Sequence, residues 1–406
     1  MSRTSEIANN VWVGPTTDMT SQDWLQGPQL FDIHIEASDA AQIPSARTLT
    51  LIQRSASSIA QNLDFPASGS VVLTKGIDLA KGFVEMCQWI HQLSNPADDA
   101  QGSSRGKAVD TQANSVRARP RKFLIHCVDG YTESTLLATA YLMYAKGIPL
   151  HEAWLRLHCQ QKRNFFAYPS DLALLSSLQS HLLHASPRSR KRNIELTEGP
   201  RWLSRMDGSF PSRILPHLYL GNIGHANNPE MLQAIGIRKL VSVGEPVRWS
   251  EEQSKAWQQE NMLVIDRVQD NGVDSLAGEL QRALDFIGML VSCSHSVISR
   301  LTSLLDLDAS STNATLVHCR VGVSRSATIC IAAVMLSLQL SFPRAYCYVR
   351  ARRLNVIIQP HLRFVYELMK WDEELQRRRG ETVRREMEWA EICGQIAAMN
   401  RPYARS

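Results

Sequence analysis

Thr315-Leu-Val-His-Cys-Arg-Val-Gly-Val-Ser-Arg-Ser326 is the stretch from which the rest of the chain can be read. Leu316 to His318 read as a short buried strand, and Ser326 to Leu338 as a buried helix, with a loop between them. A strand that runs through a loop into a helix places that loop at the carboxyl end of a sheet, where α/β proteins bind ligands. The loop composition suits an anion. Gly322 permits the backbone angles needed to turn successive N–H groups inward, and the helix adds its N-terminal dipole to the same spot. Such a positive potential favours a thiolate, so Cys319 is expected to have a lowered pKa and to act as a nucleophile near neutral pH. Arg325 offers a planar fork of donors matched to two phosphoryl oxygens. Arg320, Val321, Gly322, Val323 and Ser324 form the cradle together with Arg325. Ser326 can donate to the sulfur, and His318 orients the loop by hydrogen bonding. A Cys with an Arg six residues later is a weak signal by itself. Cys347 and Arg353 share that spacing, but fall in a predicted helix without glycine.

Working outward, the same frame occurs twice. Phe123-Leu-Ile-His-Cys127 is followed by Val-Asp-Gly-Tyr-Thr-Glu133 and an apolar stretch from Ser134 to Ala145. An Ala-aromatic pair lies 26 residues after each cysteine, Ala153-Trp154 and Ala345-Tyr346, and a proline follows, Pro169 and Pro360. Val11-Trp-Val-Gly14 resembles Leu218-Tyr-Leu-Gly221. Strands are further expected at Lys239 to Val243 and Leu263 to Val268, and helices at Leu276 to Leu290, Pro343 to Arg352 and Pro360 to Glu374. Strands alternating with helices imply an α/β fold, here two tandem domains, each a central, mostly parallel twisted sheet flanked by helices. The expected divisions are a first domain over 1–186, a linker over 187–208, a second domain over 209–378 and a helical tail over 379–406. Residues 94–121 are rich in Ser, Gly, Ala and charge, without apolar period, and read as a disordered insertion. Ser292 to Ala314 forms an insertion at the corresponding place in the second half.

His318-Cys-Arg-Val-Gly-Val-Ser-Arg-Ser-Ala-Thr328 resembles the active-site signature of the dual-specificity branch of the cysteine-dependent protein phosphatases. The resemblance extends to Ser212-Arg-Ile-Leu-Pro-His-Leu-Tyr-Leu-Gly221, to Arg352-Arg353 and to Gln359-Pro360, and covers about Phe210 to Leu375. The tandem layout resembles the fungal S-phase dual-specificity phosphatases. The resemblance implies hydrolysis of phosphotyrosine and phosphoserine or phosphothreonine through a phosphocysteine on Cys319, with phosphorylated proteins as partners and no metal or cofactor. It also implies a general acid, an Asp on a loop between a strand and a helix. Asp266, Asp270 and Asp274 are the candidates. Asp270 fits the family's spacing to the helix leucine, Leu276, while Asp266 is expected inside the strand and Asp274 at a helix N-cap, so the resemblance implies Asp270 as the acid. Where the family often has Pro-Asn, this chain has Pro360-His361. In the first half, Glu133 stands where the essential Arg would be and Leu73 where the acid would be. A carboxylate at that place repels phosphate, so the first half is expected to be a degenerate copy, structural or regulatory; the other reading, which nothing else in the sequence supports, is different chemistry by Cys127 with Asp129 and Glu133.

Composition bounds the remaining choices. A hydrophobic share of 44% with 20% charged residues suits packed cores. Eight cysteines without a CxxC pair, and a polar Met1 to Asn10, read as a reduced intracellular chain, cytoplasmic or nuclear. No apolar run is long enough for a bilayer. The net charge of +5 is too mild to single out nucleic acid. Arg188 to Arg192 reads equally as a nuclear localisation patch or a solvated linker. His181 and His184 lack nearby acidic or thiol partners, so no metal site is expected there. Two other functions fit the same loop: a phosphatase for lipids or RNA 5′ ends, and a non-catalytic phosphoprotein-binding scaffold. Arg320 is the one added cation inside the loop, fewer than a lipid-directed loop would carry.

Overall fold

A computed structural model describes residues 4–16, 31–54, 60–71, 78–96, 119–160, 166–189, 199–288, 314–353, 356–383, 390 and 393–394. The chain divides into two compact units, Met1–Phe210 and Pro211–Ser406.

The first unit contains β1 (Ser5–Ala8), β2 (Val11–Pro15), β3 (Ile33–Ser38), α1 (Ala46–Arg54), β4 (Gln61–Pro66), α2 (Leu79–Ser94), β5 (Phe123–Cys127), α3 (Thr135–Lys146), α4 (Leu150–Cys159) and α5 (Pro169–Ala185). Its sheet has the order β1-β2-β5-β3-β4, with only the β1–β2 pair antiparallel. The second unit repeats this plan. It contains β6 (Ser212–Leu215), β7 (Leu218–Gly221), α6 (Ile223–Ala226), α7 (Pro229–Ala234), β8 (Ile237–Val243), α8 (Glu251–Trp257), β9 (Met262–Ile265), α9 (Ala277–Ile287), β10 (Ala314–His318), α10 (Arg325–Leu338), α11 (Phe342–Arg352) and α12 (Leu362–Arg378). Its sheet order is β6-β7-β10-β8-β9, again with one antiparallel pair at the β6 edge. The repeated strand order is the three-dimensional counterpart of the sequence repeat: β2 and β7 carry the matched Val11 and Leu218 segments.

The sequence explains the layering. Every residue of β5 and of β10 is buried, as a central strand covered on both faces requires. The helices that follow them, α3 and α10, are apolar nearly all round and sit within the cores. Helix α12 is amphipathic instead: Phe364, Leu368, Trp371 and Leu375 recur every three or four residues and form its buried stripe. Burying each of these large side chains stabilises the unit by roughly 1.5–3 kcal/mol. Among the described residues no single helix is long and apolar enough to cross a membrane.

Two expectations shift. Residues 200–208, read as part of a linker, pack on the first unit. Trp202 is buried, with its ring 5.9 Å from Phe210, which in turn lies 4.4 Å from Trp154. Ala167 donates its N–H to the Gly208 carbonyl at 2.8 Å. Burial of these aromatics outweighs the polar composition around them, and the division falls between Phe210 and Pro211. Strand β9 also ends at Ile265, so Asp266 lies just beyond the strand. Most of the 94–121 insertion, residues 292–313 of the second insertion, Arg190 to Asn193 and most of the 379–406 tail fall outside the described residues, while Ala314 opens β10.

Candidate active site

At the carboxyl end of β10, a cleft of about 460 Å³ is lined by Cys319, Arg320, Val321, Ser324, Arg325 and Asp270, among others. Cys319 is 3% exposed, and its sulfur sits among donors. Ser326 Oγ donates to Sγ at 3.1 Å and the Gly322 N–H at 3.3 Å. Gly322 has φ +78, and a Cβ there would stand 2.4 Å from the Gly221 carbonyl oxygen, so no other residue fits this bend without strain. Burial by itself would raise the Cys319 pKa. The hydrogen bonds from Ser326 and Gly322, with the charge of Arg325, outweigh burial and hold the thiol below its ordinary value. Beneath the loop, His318 is fully buried, and burial lowers its pKa to about 4, which leaves it neutral. Its Nε2 lies 2.7 Å from Ser242 Oγ on β8, a contact that ties the strand end to its neighbour.

Arg325 is buried at the start of α10. Its Nη1 donates to the Val268 carbonyl at 3.2 Å and its Nη2 to Glu245 Oε1 at 3.4 Å. Glu245 follows β8, far from the loop in sequence, and sequence reasoning missed it. Cys347, which has the same spacing to Arg353, is exposed on α11. Arg353 itself is fully buried and donates to Ser212 Oγ at 3.2 Å. Its guanidinium lies against the 319–326 loop, with Nη2 2.7 Å from where a Gly322 Cβ would be. The Arg352-Arg353 pair was the only sequence signal for it.

Of the three candidate acids, Asp270 is the one against the loop: Ser324 Oγ donates to its Oδ1 at 2.7 Å. Asp274 does not cap a helix. Its Oδ2 accepts from the Gln269 N–H at 2.9 Å and from Asn271 Nδ2 at 3.1 Å, so it staples the 269–274 loop to itself. The cap reading failed because α9 starts later, at Ala277, with Leu276 as its N-cap residue.

The first unit shows what happens to this loop when its charges change. Asp129 Oδ1 accepts the N–H groups of Tyr131 at 2.7 Å and of Thr132 at 3.1 Å, and Oδ2 accepts from Thr132 Oγ1 at 3.1 Å. An internal carboxylate therefore occupies donors that would otherwise meet an anion. Ligand atoms of Cys127, Asp129 and Glu133 lie within 4.8 Å of one another, a grouping that repels phosphate. Burial first, and then these carboxylates, push the Cys127 thiol up to about 11 despite a hydrogen bond to Ser134. Leu73 lies outside the described residues. The two cysteines are thus expected to respond differently to an alkylating agent. Iodoacetamide at pH 7 should label Cys319 first and leave Cys127 largely unmodified, which peptide mass spectrometry of the folded protein would read. Equal labelling of both would contradict these environments.

A lowered-pKa thiol in a cradle of N–H donors, with a buried guanidinium and a nearby carboxyl, on this α/β sheet, defines a cysteine-phosphatase type of protein. Residues 218–374 belong to the dual-specificity phosphatase family: they match the family described as the dual specificity phosphatase catalytic domain. The chain is 32% identical over 419 residues to dual specificity protein phosphatase PPS1 of Saccharomyces cerevisiae, covering 84% of this chain and 46% of that protein. It therefore spans about half the length of that relative. To dual specificity protein phosphatase 4 of Gallus gallus it is 27% identical over 285 residues, covering 68% of each chain. Among solved structures, human DUSP28 is matched at 24% identity over 41% of this chain and 95% of that one, with a TM-score of 0.31.

Proposed function

We propose that the second unit hydrolyses phosphotyrosine and phosphoserine or phosphothreonine in proteins, and that the first unit is catalytically silent and structural or regulatory. The observation that carries this reading is the convergence on Cys319 Sγ of Ser326 Oγ and the Gly322 N–H, with Arg325 and Asp270 lining the same cleft.

The chemistry takes two steps. The Cys319 thiolate attacks phosphorus; the S–P bond forms as the P–O bond to the side chain breaks. Asp270 passes its proton to the departing oxygen. A water oxygen then attacks phosphorus, its proton going to Asp270, and the S–P electron pair returns to sulfur, with Ser326 Oγ donating to the leaving thiolate. Through both steps the loop N–H groups and Arg325 hold the equatorial oxygens, the largest source of stabilisation.

The test is turnover of an aryl phosphate, a phosphotyrosine peptide and a phosphothreonine peptide by the full-length protein under reducing conditions, without added metal. Hydrolysis of all three, unchanged in Cys127→Ser, supports the reading. Binding of phosphopeptides without turnover by correctly folded protein would replace it with a phosphoprotein-binding scaffold. Activity that depends on Cys127 would end the silent-front assignment.

A further inference from the structure

We infer that Ser324 and His361 form a latch that holds the Asp270 loop closed over the phosphate loop, so that both act as positioning residues for proton transfer. This rests on the reading of Asp270 as the general acid. The Ser324 hydroxyl is used on both sides: it donates to Asp270 Oδ1 at 2.7 Å and accepts the His361 backbone N–H at 3.0 Å. The His361 ring lies directly against the same loop. Gly272 has φ +73, and a Cβ built on it would stand 2.2 Å from His361 Cε1 and 2.9 Å from Nε2. Only a residue without a side chain lets the imidazole come so close. Asp270 is therefore gripped by polar contact from Ser324 and Gly272 by packing from His361, and the His361 N–H joins the two grips through the Ser324 hydroxyl.

The gripped loop is stiff in itself. Asn271 Oδ1 accepts the N–H groups of Val273 at 2.9 Å and Asp274 at 3.0 Å, in addition to the Asp274 staple described above. It is also largely exposed, with Val273 78% exposed, so apolar burial does little to fix its place. A stiff, exposed loop moves as one piece, and contacts at its edge set its position. The segment that carries His361 is anchored. Gln359 donates its N–H to the Val323 carbonyl at 3.0 Å, and His361 caps α12 by accepting the Arg363 N–H on Nδ1 at 3.3 Å. One turn on, buried Glu367 accepts the Leu276 N–H at 2.8 Å while Arg363 Nε holds its other oxygen at 2.9 Å. The start of α12 thus clasps the acid loop at both ends.

The latch specifies an atom. Because Ser324 donates to Oδ1, that oxygen is an acceptor, and the transferable proton of the acid form belongs on Oδ2, on a carboxyl that lines the cleft. His361 stands where the resemblance implies Asn, a residue with no ring to lay on Gly272.

The experiment compares wild type, Asp270→Asn, Ser324→Ala and His361→Ala in the full-length protein. A series of aryl phosphates runs from strongly to weakly acidic leaving phenols, because only weakly acidic ones need the proton. The pH dependence of Cys319 alkylation is measured alongside, to report the phosphate loop separately. Asp270→Asn should lose most on the weakly acidic phenols, within the roughly 10²–10⁴-fold that a general acid supplies. Ser324→Ala and His361→Ala should each lower the ratio of weakly to strongly acidic turnover by about 10-fold, a part of the same effect, with the alkylation profile as in wild type. If Asp270→Asn shifts that ratio and neither latch variant does, the latch is wrong and the acid stands. If Asp270→Asn leaves the ratio at the wild-type value, the acid reading falls and the latch with it. An alkylation profile that moves in Ser324→Ala, without a change in the ratio, would return Ser324 to the phosphate loop alone.

Discussion

Cys319→Ser should abolish turnover, by on the order of 10⁵-fold or more, a loss of the size seen when an enzyme's nucleophile is removed. The hydroxyl has the shape of the thiol but not its acidity. The donors around Cys319, Ser326 Oγ at 3.1 Å, the Gly322 N–H at 3.3 Å and the Arg325 charge, are enough to bring a thiol below its ordinary pKa against the effect of burial. The same donors would leave an aliphatic hydroxyl protonated at neutral pH, and the attacking anion would be missing. Binding should be affected much less. The cradle N–H groups, Arg325 and the cleft remain, so phosphopeptide affinity should stay within a few-fold of wild type. Loss of kcat with retained affinity separates a missing nucleophile from a collapsed loop. Parallel loss of both, with an unchanged thermal midpoint, would mean that the sulfur is needed to build the cradle. Residual turnover within about 100-fold of wild type would remove Cys319 as the nucleophile, since on the transition-state scale this is under about 3 kcal/mol.

What made this site legible is that the half proposed to bind phosphate is local. Cys319 to Ser326 occupy one loop, between an apolar strand and an apolar helix, and each residue type there has a recognisable job. The sheet was legible for a related reason: β5 and β10 are buried on both faces and so read as unbroken apolar runs, and the repeat doubled the signal. What escaped was assembled from distant segments. Glu245 reaches Arg325 across 80 residues of sequence, and Ser324 meets Asp270 across 54. No period or spacing encodes such contacts, because they depend on where β8, β9 and α12 end in space. Asp274 was misread because an acid before a helix looks like a cap whether it turns toward the helix or back into its own loop. Trp202 and Phe210 were assigned away from the first unit because charged neighbours obscured two aromatics that find a place beside Trp154. In the first unit, Glu133 and its charge were legible, but the filling of the cradle by Asp129 was not, since it depends on the direction of N–H groups.

Arg325→Lys should lower kcat/KM by roughly 10²–10³-fold, equivalent to about 2.7–4 kcal/mol of transition-state stabilisation, although the charge is kept. The reason lies in geometry. Arg325 is buried, and its two terminal nitrogens point to different acceptors, Nη1 to the Val268 carbonyl and Nη2 to Glu245. The guanidinium plane is thereby fixed before any phosphate arrives, and two further N–H groups can address two oxygens at once. A lysine ammonium is a point charge on a flexible stem. It can satisfy Glu245 or a phosphoryl oxygen, but it cannot hold the protein and clamp two oxygens in one plane. The thiol should notice the change little, because the charge of Arg325 is the smallest of the influences that lower the Cys319 pKa and lysine preserves its sign. The expected signature is therefore a large fall in kcat/KM with a nearly unmoved pH profile of Cys319 alkylation. If instead Arg325→Lys keeps activity within about 10-fold, charge alone suffices and the fork is not a two-oxygen clamp. If the alkylation profile moves upward with the rate, the arginine acts mainly through the sulfur, and the loss belongs to a weaker nucleophile.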